Sequence, residues 1–298
     1  MYRILICLLA LASLTPAQTV KTLKIRILST MLTSDEGIGE WGFSALVEAD
    51  GHRILFDTGA RPDTVLNNAR ELKVDLAGVP DVILSHNHSD HTGGLKTLRQ
   101  NFPQSFTVAH VGKGITYPRK SRTFSLADYT GRVVEYDHPV QIYPGVWLTG
   151  PVPRKYPERN WSGTGQVQTP EGWVEDNIPE DMSLVFNTAD GLVLLSGCGH
   201  AGVINTVEYA REKIRNAPLY AAIGGFHLYA LDDAKLDWTA RKLREFGLEN
   251  FLGAHCTGIE ATERIRQLTG LNRKTASVAA VGAVFELGKP MDPGSIAR

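Results

Sequence analysis

Three histidines and a carboxylate fall within the run Ser85-His86-Asn87-His88-Ser89-Asp90-His91. Each can ligate a divalent cation: neutral imidazole suits zinc, and a nearby carboxylate can serve a second ion. The chain holds nine histidines, and three sit in this one run, which favours a metal site over a chance polar loop. Val82-Ile83-Leu84 precedes the run and Thr92-Gly93-Gly94 follows it. A buried strand therefore ends where the cluster begins. His86 and His88 are two apart, so on extended chain their rings lie on one side and converge on a single ion. Asp90 and His91 follow as the chain turns and can address a second. Two ions about 3.5–4 Å apart share a water whose pKa falls to about 7. The expected chemistry is attack of metal-bound hydroxide on an ester-like bond of a small molecule, a phosphate ester or a lactone being conceivable. Two divalent ions are expected, zinc first, with iron or manganese as alternatives.

The pattern His-x-His-x-Asp-His resembles the signature of the metallo-β-lactamase superfamily. The resemblance covers most of the chain. Gly42-Phe43-Ser44 and Ile54-Leu55-Phe56-Asp57-Thr58-Gly59 resemble its opening strands, and Ser196-Gly197-Cys198-Gly199-His200-Ala201-Gly202 and Gly253-Ala254-His255-Cys256-Thr257-Gly258 resemble later metal motifs. The Gly-Cys-Gly-His-Ala-Gly form is similar to a subgroup named for 7,8-dihydropterin-6-methyl-4-(ribofuranosyl)aminobenzene 5′-phosphate synthase. The resemblance implies that His86 and His88 hold one metal, that Asp90 and His91 hold the other, and that His255 joins the second. It also puts Asp57 beside a metal-bound imidazole, where a carboxylate fixes the ring's tautomer. The chain departs from the pattern in its middle. No histidine stands near Trp147-Leu148-Thr149-Gly150-Pro151, and Cys198 occupies the place of the bridging Asp. His200 is expected to complete the first ligand set. Asp90 and His200 are the residues expected to carry the chemistry. Cys198 either replaces the bridging carboxylate, lies just outside it, or is a small buried residue.

Other residues are weaker candidates. His227 sits just past an apolar strand, as a ligand, a substrate-facing hydrogen-bonder or a satisfied outer imidazole. His110 ends a strand and faces either the cleft or the core, while His52 and His138 are expected in solvent. Arg119, Lys120, Arg122, Arg154, Lys155 and Arg159, with Tyr117, Tyr156 and Trp161, suit a phosphate-bearing aromatic ligand or are solvated loop charge. Acidic neighbours offset much of that positive charge.

The elements that must position these groups follow from the pattern of apolar residues. Leu23, Ile25 and Ile27 alternate with Lys24 and Arg26 as a strand. Phe43–Glu48 and Arg53–Phe56 flank an Asp50-Gly51 turn. Helices are expected over 62–73, 94–100, 203–214, 232–246 and 259–268. Further strands are expected over 82–84, 106–109, 132–136, 140–148, 183–187, 192–195, 219–223, 250–252 and 282–287. Hairpins followed by alternating strands and helices occur in both halves. They predict an α/β (α+β) fold, a four-layer αββα sandwich in which two sheets meet face to face. Residues 111–182 are rich in proline and read as a loop-rich insertion over the site.

Composition bounds the rest. The 298 residues, 43% apolar and 21% charged, suit one globular domain over 18–298. A net charge of −1 gives no reason to expect nucleic acid or an anionic membrane as partner; a small-molecule substrate is expected. Arg3, the apolar run Ile4–Leu14 and Thr15-Pro16-Ala17 read as a secretory signal over 1–17, cleaved before Gln18. An exported (periplasmic or secreted) protein without a stable anchor follows. Cys198 and Cys256 then remain, and their nearness to ligands points to free thiols rather than a disulfide. The alternatives are a synthase of the named subgroup, an iron-based redox enzyme, or a metal-dependent binding protein whose altered third motif has lost catalysis.

Overall fold

The computed structural model describes residues 18–121, 124–160 and 165–297; the expected signal segment, Arg122 and Trp161 lie outside them. In chain order the elements are β1 Leu23–Ser29, β2 Ser44–Ala49, β3 His52–Phe56, α1 Thr64–Glu71, β4 Asp81–Leu84, α2 Ser89–Thr92, α3 Leu95–Asn101 and β5 Val108–Gly112. Then come β6 Arg132–Tyr136, β7 Val140–Tyr143, β8 Val146–Leu148, β9 Gln166–Thr169, β10 Gly172–Glu175, β11 Leu184–Asn187 and β12 Leu192–Ser196. The last are α4 Val203–Lys213, β13 Leu219–Gly224, α5 Asp233–Glu245, β14 Asn250–Gly253, α6 Ile259–Thr269, β15 Ala276–Val278 and β16 Val284–Glu286.

Two seven-stranded sheets form, in the orders β16-β1-β2-β3-β4-β5-β6 and β15-β14-β13-β12-β11-β8-β7, beside a separate β9-β10 hairpin. Each is antiparallel over one half and parallel over the other. Strands β3 to β6 run parallel, and so do β12 to β15. The two-residue side-chain period divides each strand between two cores. Ile54, Phe56 and Ile83 face a core shared with Leu184, Val193, Leu195 and Ile223 of the other sheet. Their neighbours Leu55, Val82 and Leu84 pack under Val65, Leu66 and Ala69 of α1. On the far side, Leu192 and Leu194 pack under Ile204 of α4, Ala240 of α5 and Ile265 of α6. The layers are therefore helix, sheet, sheet, helix. No helix among the described residues is long and apolar enough to cross a membrane.

Several elements differ from the sequence pattern, for local reasons. The strand expected over 106–109 is β5, starting at Val108, because Phe106 has φ 51° and its N–H turns to the Val79 carbonyl. His110 thus lies within the strand, and its ring bonds Asp81 and the Tyr136 hydroxyl, both at 2.9 Å, away from the cleft. The strand expected over 140–148 is two, folded back at Pro144-Gly145. His52, expected in solvent, stacks on Tyr143 with centroids 3.7 Å apart. His138 is exposed. The short β15 and the β9-β10 hairpin carry too few apolar residues to stand out in the sequence.

Candidate metal centre

Parallel strands from both sheets end at one edge, and the polar side chains collect in the crevice beyond their carboxyl ends. Asp57 follows β3, the histidine run follows β4, Cys198 and His200 follow β12, His227 follows β13 and His255 follows β14. A cavity of about 400 Å³ opens there, lined by His88, Asp90, Cys198, His200, His227 and His255 among others.

Three donor groups form within it. His86, His88 and His200 make one; Asp90, His91, Cys198 and His255 make a second; Cys198, His200 and His227 make a third. In each, one donor atom per residue lies within 4.8 Å of the others. Cys198 thus belongs to two groups, and so does His200. His86, His88, Asp90, His91, Cys198, His200, His227 and His255 all fall in these groups, and Asp57 bonds His91 behind them.

The rings are held in one orientation from behind. Asp57 is fully buried, and its carboxylate accepts from His91 Nδ1 at 2.7 Å, Ser85 Oγ at 2.7 Å and Ser85 N at 2.8 Å. Since the Ser85 hydroxyl donates to Asp57, its oxygen accepts from His86 Nδ1, 2.9 Å away. His200 Nδ1 donates to the Asn160 carbonyl. With Nδ1 committed in all three rings, each Nε2 presents a lone pair to the cavity; these tautomers follow from the hydrogen-bond network. His91 Nε2 lies 3.1 Å from Cys198 Sγ, and His86 Nε2 lies 3.0 Å from His88 Nδ1. His255 Nε2 lies 3.3 Å from Asp90 Oδ2 without hydrogen-bonding geometry. His200 Nε2 and both His255 nitrogens are buried with no hydrogen-bond partner. Unpartnered buried donors of this kind, beside a carboxylate and a thiol, are what a divalent ion would satisfy.

Burial, then the neighbouring His227, pushes His200 down to about 3, so it stays neutral as a ligand must. Burial opposes charge on His255 too, but Cys256 and Asp90 outweigh it and raise that ring to about 10, so a cation binding there would have to displace its proton. Burial also works against the Asp90 carboxylate, which His91 and His255 nevertheless hold well below the usual range. Cys198 and Cys256 are free thiols with sulfurs 3.2 Å apart. Burial and Cys256 keep the Cys198 thiol protonated; Cys198 and His255, against burial, favour the Cys256 thiolate.

Close approach explains one residue of the motif. A Cβ on Gly197 would lie 2.3 Å from Ser85 Oγ and 2.5 Å from Asp57 Oδ2, so only glycine lets the chain leaving β12 pass this hydrogen-bonded pair. Three site residues, Asp57, His227 and His255, have positive φ (56°, 49° and 46°). Sequence reasoning missed the Ser85 relay, the Asn160 carbonyl, and the aromatic pair Trp41 and Tyr229 at the mouth. A tryptophan directly before the Gly42-Phe43-Ser44 motif was the only sequence signal for that pair.

Comparison with known proteins agrees with this geometry. Residues 42–175 match the family model described as the metallo-beta-lactamase superfamily. An uncharacterised protein of Methanocaldococcus jannaschii is 31% identical over 82% of this chain and 94% of its own length. The 7,8-dihydropterin-6-methyl-4-(beta-D-ribofuranosyl)-aminobenzene-5′-phosphate synthase of the same organism is 28% identical over 74% of this chain and 82% of its own. A crystal structure described as a metal-dependent hydrolase of the beta-lactamase superfamily superposes with a TM-score of 0.74 at 27% identity, covering 90% of this chain and 100% of that one. The αββα layering, the crevice at the strand ends and these relatives together place the chain in the metallo-β-lactamase superfamily.

Proposed function

We propose that this protein is an exported metal-dependent hydrolase that cleaves an ester-like bond of a small molecule. The observation that carries the reading is that His86, His91 and His200 are each tethered through Nδ1, with the His86 and His91 Nε2 atoms turned to His88 and Cys198, beside a cavity lined by His88, Asp90, Cys198 and His200. His86, His88 and His200 would hold one divalent ion, and Asp90, His91 and His255 a second, with Cys198 between them. When bound, such ions supply Lewis acidity and an activated water. The protein's own part is to orient and exclude. Asp57 and Ser85 hold two rings fixed. Asp90 lines the cavity as a carboxylate able to accept a hydrogen bond from a water and orient it. His227 lines the cavity, where its ring can meet a substrate oxygen.

Zinc is the ion that best suits imidazoles with one thiol. Chelation should abolish turnover across a panel of carboxylic esters, lactones and phosphate esters, and zinc should restore it. Elemental analysis of the purified protein should find two ions per chain. Metal content without turnover on any of these would refute the hydrolase reading and leave a metal-dependent binding protein. The name of the 28%-identical relative supports a second reading, a synthase condensing a pterin precursor. Export argues against it, and the amino terminus of the mature protein decides export: it should be Gln18.

A further inference from the structure

Two large aromatic side chains stand at the cavity mouth, outside every donor group. Trp41 is 45% exposed and Tyr229 53%. Their rings meet edge to face with centroids 5.4 Å apart, and both line the cavity that holds Asp90 and His200. The backbone carrying Trp41 is fixed on both sides. The buried Glu40 carboxylate accepts from Ser29 Oγ at 2.7 Å and from the N–H groups of Ala60 and Arg61 at 2.9 Å. After Trp41, a Cβ on Gly42 would lie 2.6 Å from Ala60 N, and Phe43 N–H donates to the Asp90 carbonyl at 3.1 Å. A rigid frame that keeps an indole half in water is organised for recognition, because the same ring would contribute more to stability if buried.

The electrostatics narrow what is recognised. Among the described residues lining this cavity there is no lysine or arginine. Basic residues of the proline-rich region are engaged elsewhere: Arg119 with Asp176 and Glu180, Lys155 with Glu212, and Arg159 with Glu175. None of these supplies the fork of donors that usually receives a phosphate.

We infer that Trp41 and Tyr229 form a recognition wall for a flat aromatic group on an uncharged carboxylic ester or lactone. The inference rests on the hydrolase reading. In the reaction, water oxygen bonds to the carbonyl carbon, the ester C–O bond breaks, and the alcohol departs with one proton of the water.

Two measurements test it on the zinc-loaded protein. Acetophenone carries a ring and a carbonyl but cannot be hydrolysed, so calorimetry reads its binding without turnover. Trp41→Leu and Tyr229→Leu should each raise its Kd about tenfold, with metal content unchanged. In turnover, benzyl acetate should show a lower KM than ethyl acetate, whose leaving alcohol is of similar acidity, and a higher kcat/KM than benzyl phosphate. Equal acetophenone affinity in wild type and both variants overturns the inference, as does a preference for ethyl acetate or for benzyl phosphate. Acetophenone binding that depends on both rings, with no ester turned over, upholds the wall and refutes the hydrolase reading alone.

Discussion

Asp57→Asn tests whether the site is held from behind. The carboxylate accepts three hydrogen bonds in a fully buried place, one on Oδ1 from Ser85 N and two on Oδ2 from Ser85 Oγ and His91 Nδ1. An asparagine amide has one oxygen. If that oxygen keeps the two Oδ2 partners, the amide nitrogen faces the Ser85 N–H, and a buried backbone donor is left unpaired at a cost of about 1–3 kcal/mol. If it keeps the Ser85 N–H instead, both side-chain partners lose their acceptor, and the cost is larger. The first arrangement therefore prevails. In it the bond to His91 changes from charge-assisted to neutral, roughly halving its strength. That ring then binds a cation less tightly, by about 10–100-fold, the usual effect of removing a carboxylate behind a metal-bound histidine. Two assays follow. Urea unfolding of chelator-treated protein should show a loss of about 1–3 kcal/mol, small enough to leave a folded protein of ordinary stability. Zinc titration against a chromophoric chelator should show one weakened site and one less affected. A folded D57N that binds both ions as wild type would refute the claim that Asp57 orients His91 toward a metal.

His200→Ala should lower the metal content per chain by removing the Nε2 that completes the His86 and His88 group; an unchanged count by plasma mass spectrometry excludes His200 as a ligand. Cys198→Ala should weaken binding at two donor groups, whereas His227→Ala touches one, so paired titrations should rank C198A as the more damaging. Glu158, which belongs to no donor group, gives a pH test of the fold behind His200. Burial raises its carboxyl to about 7 against backbone N–H groups at the start of α4. A carboxyl raised in the folded state contributes stability below its unfolded value of about 4.5 and loses it as pH rises through about 7. The stability of wild type relative to Glu158→Gln should therefore fall across that window, by about 3 kcal/mol at most; parallel pH profiles by urea unfolding would contradict the raised carboxyl.

Much of the fold was legible because the buried strands are short continuous apolar runs and the helices α5 and α6 end near Gly247 and Gly270. The histidine run was legible because its donors are adjacent in sequence. What escaped has a common physical character. Asn160 acts through its carbonyl, which every residue possesses, so no side-chain type announces it. Ser85 acts by passing a hydrogen bond from His86 to Asp57, a role set by three-dimensional order alone. Arg119, Lys155 and Arg159 of the proline-rich region suggested a phosphate site only while their partners were unknown. Arg119 is buried between Asp176 and Glu180, which lie far along the chain. Trp41 reads as one more apolar residue until the sheet brings its loop over the cavity.

The left-handed residues explain why a second cysteine stands at this site without belonging to a donor group. Asp57, His227 and His255 each hold a conformation that costs a side-chain-bearing residue about 1 kcal/mol or more. Each is tied down at its backbone: Asp57 N–H to the Ile83 carbonyl at 2.8 Å, His255 N–H to Thr30 Oγ1 at 2.9 Å, and His227 N–H to Cys256 Sγ at 3.3 Å. Cys256 thus works as the acceptor that fixes the turn after β13, and its carbonyl accepts the next two N–H groups, of Leu228 and Tyr229. A serine there would accept the same N–H but would sit less well against the Cys198 sulfur in a buried, dry contact. The two sulfurs therefore divide the work. Cys198 belongs to two donor groups, and Cys256 holds the loop that carries His227 and Tyr229 to the cavity.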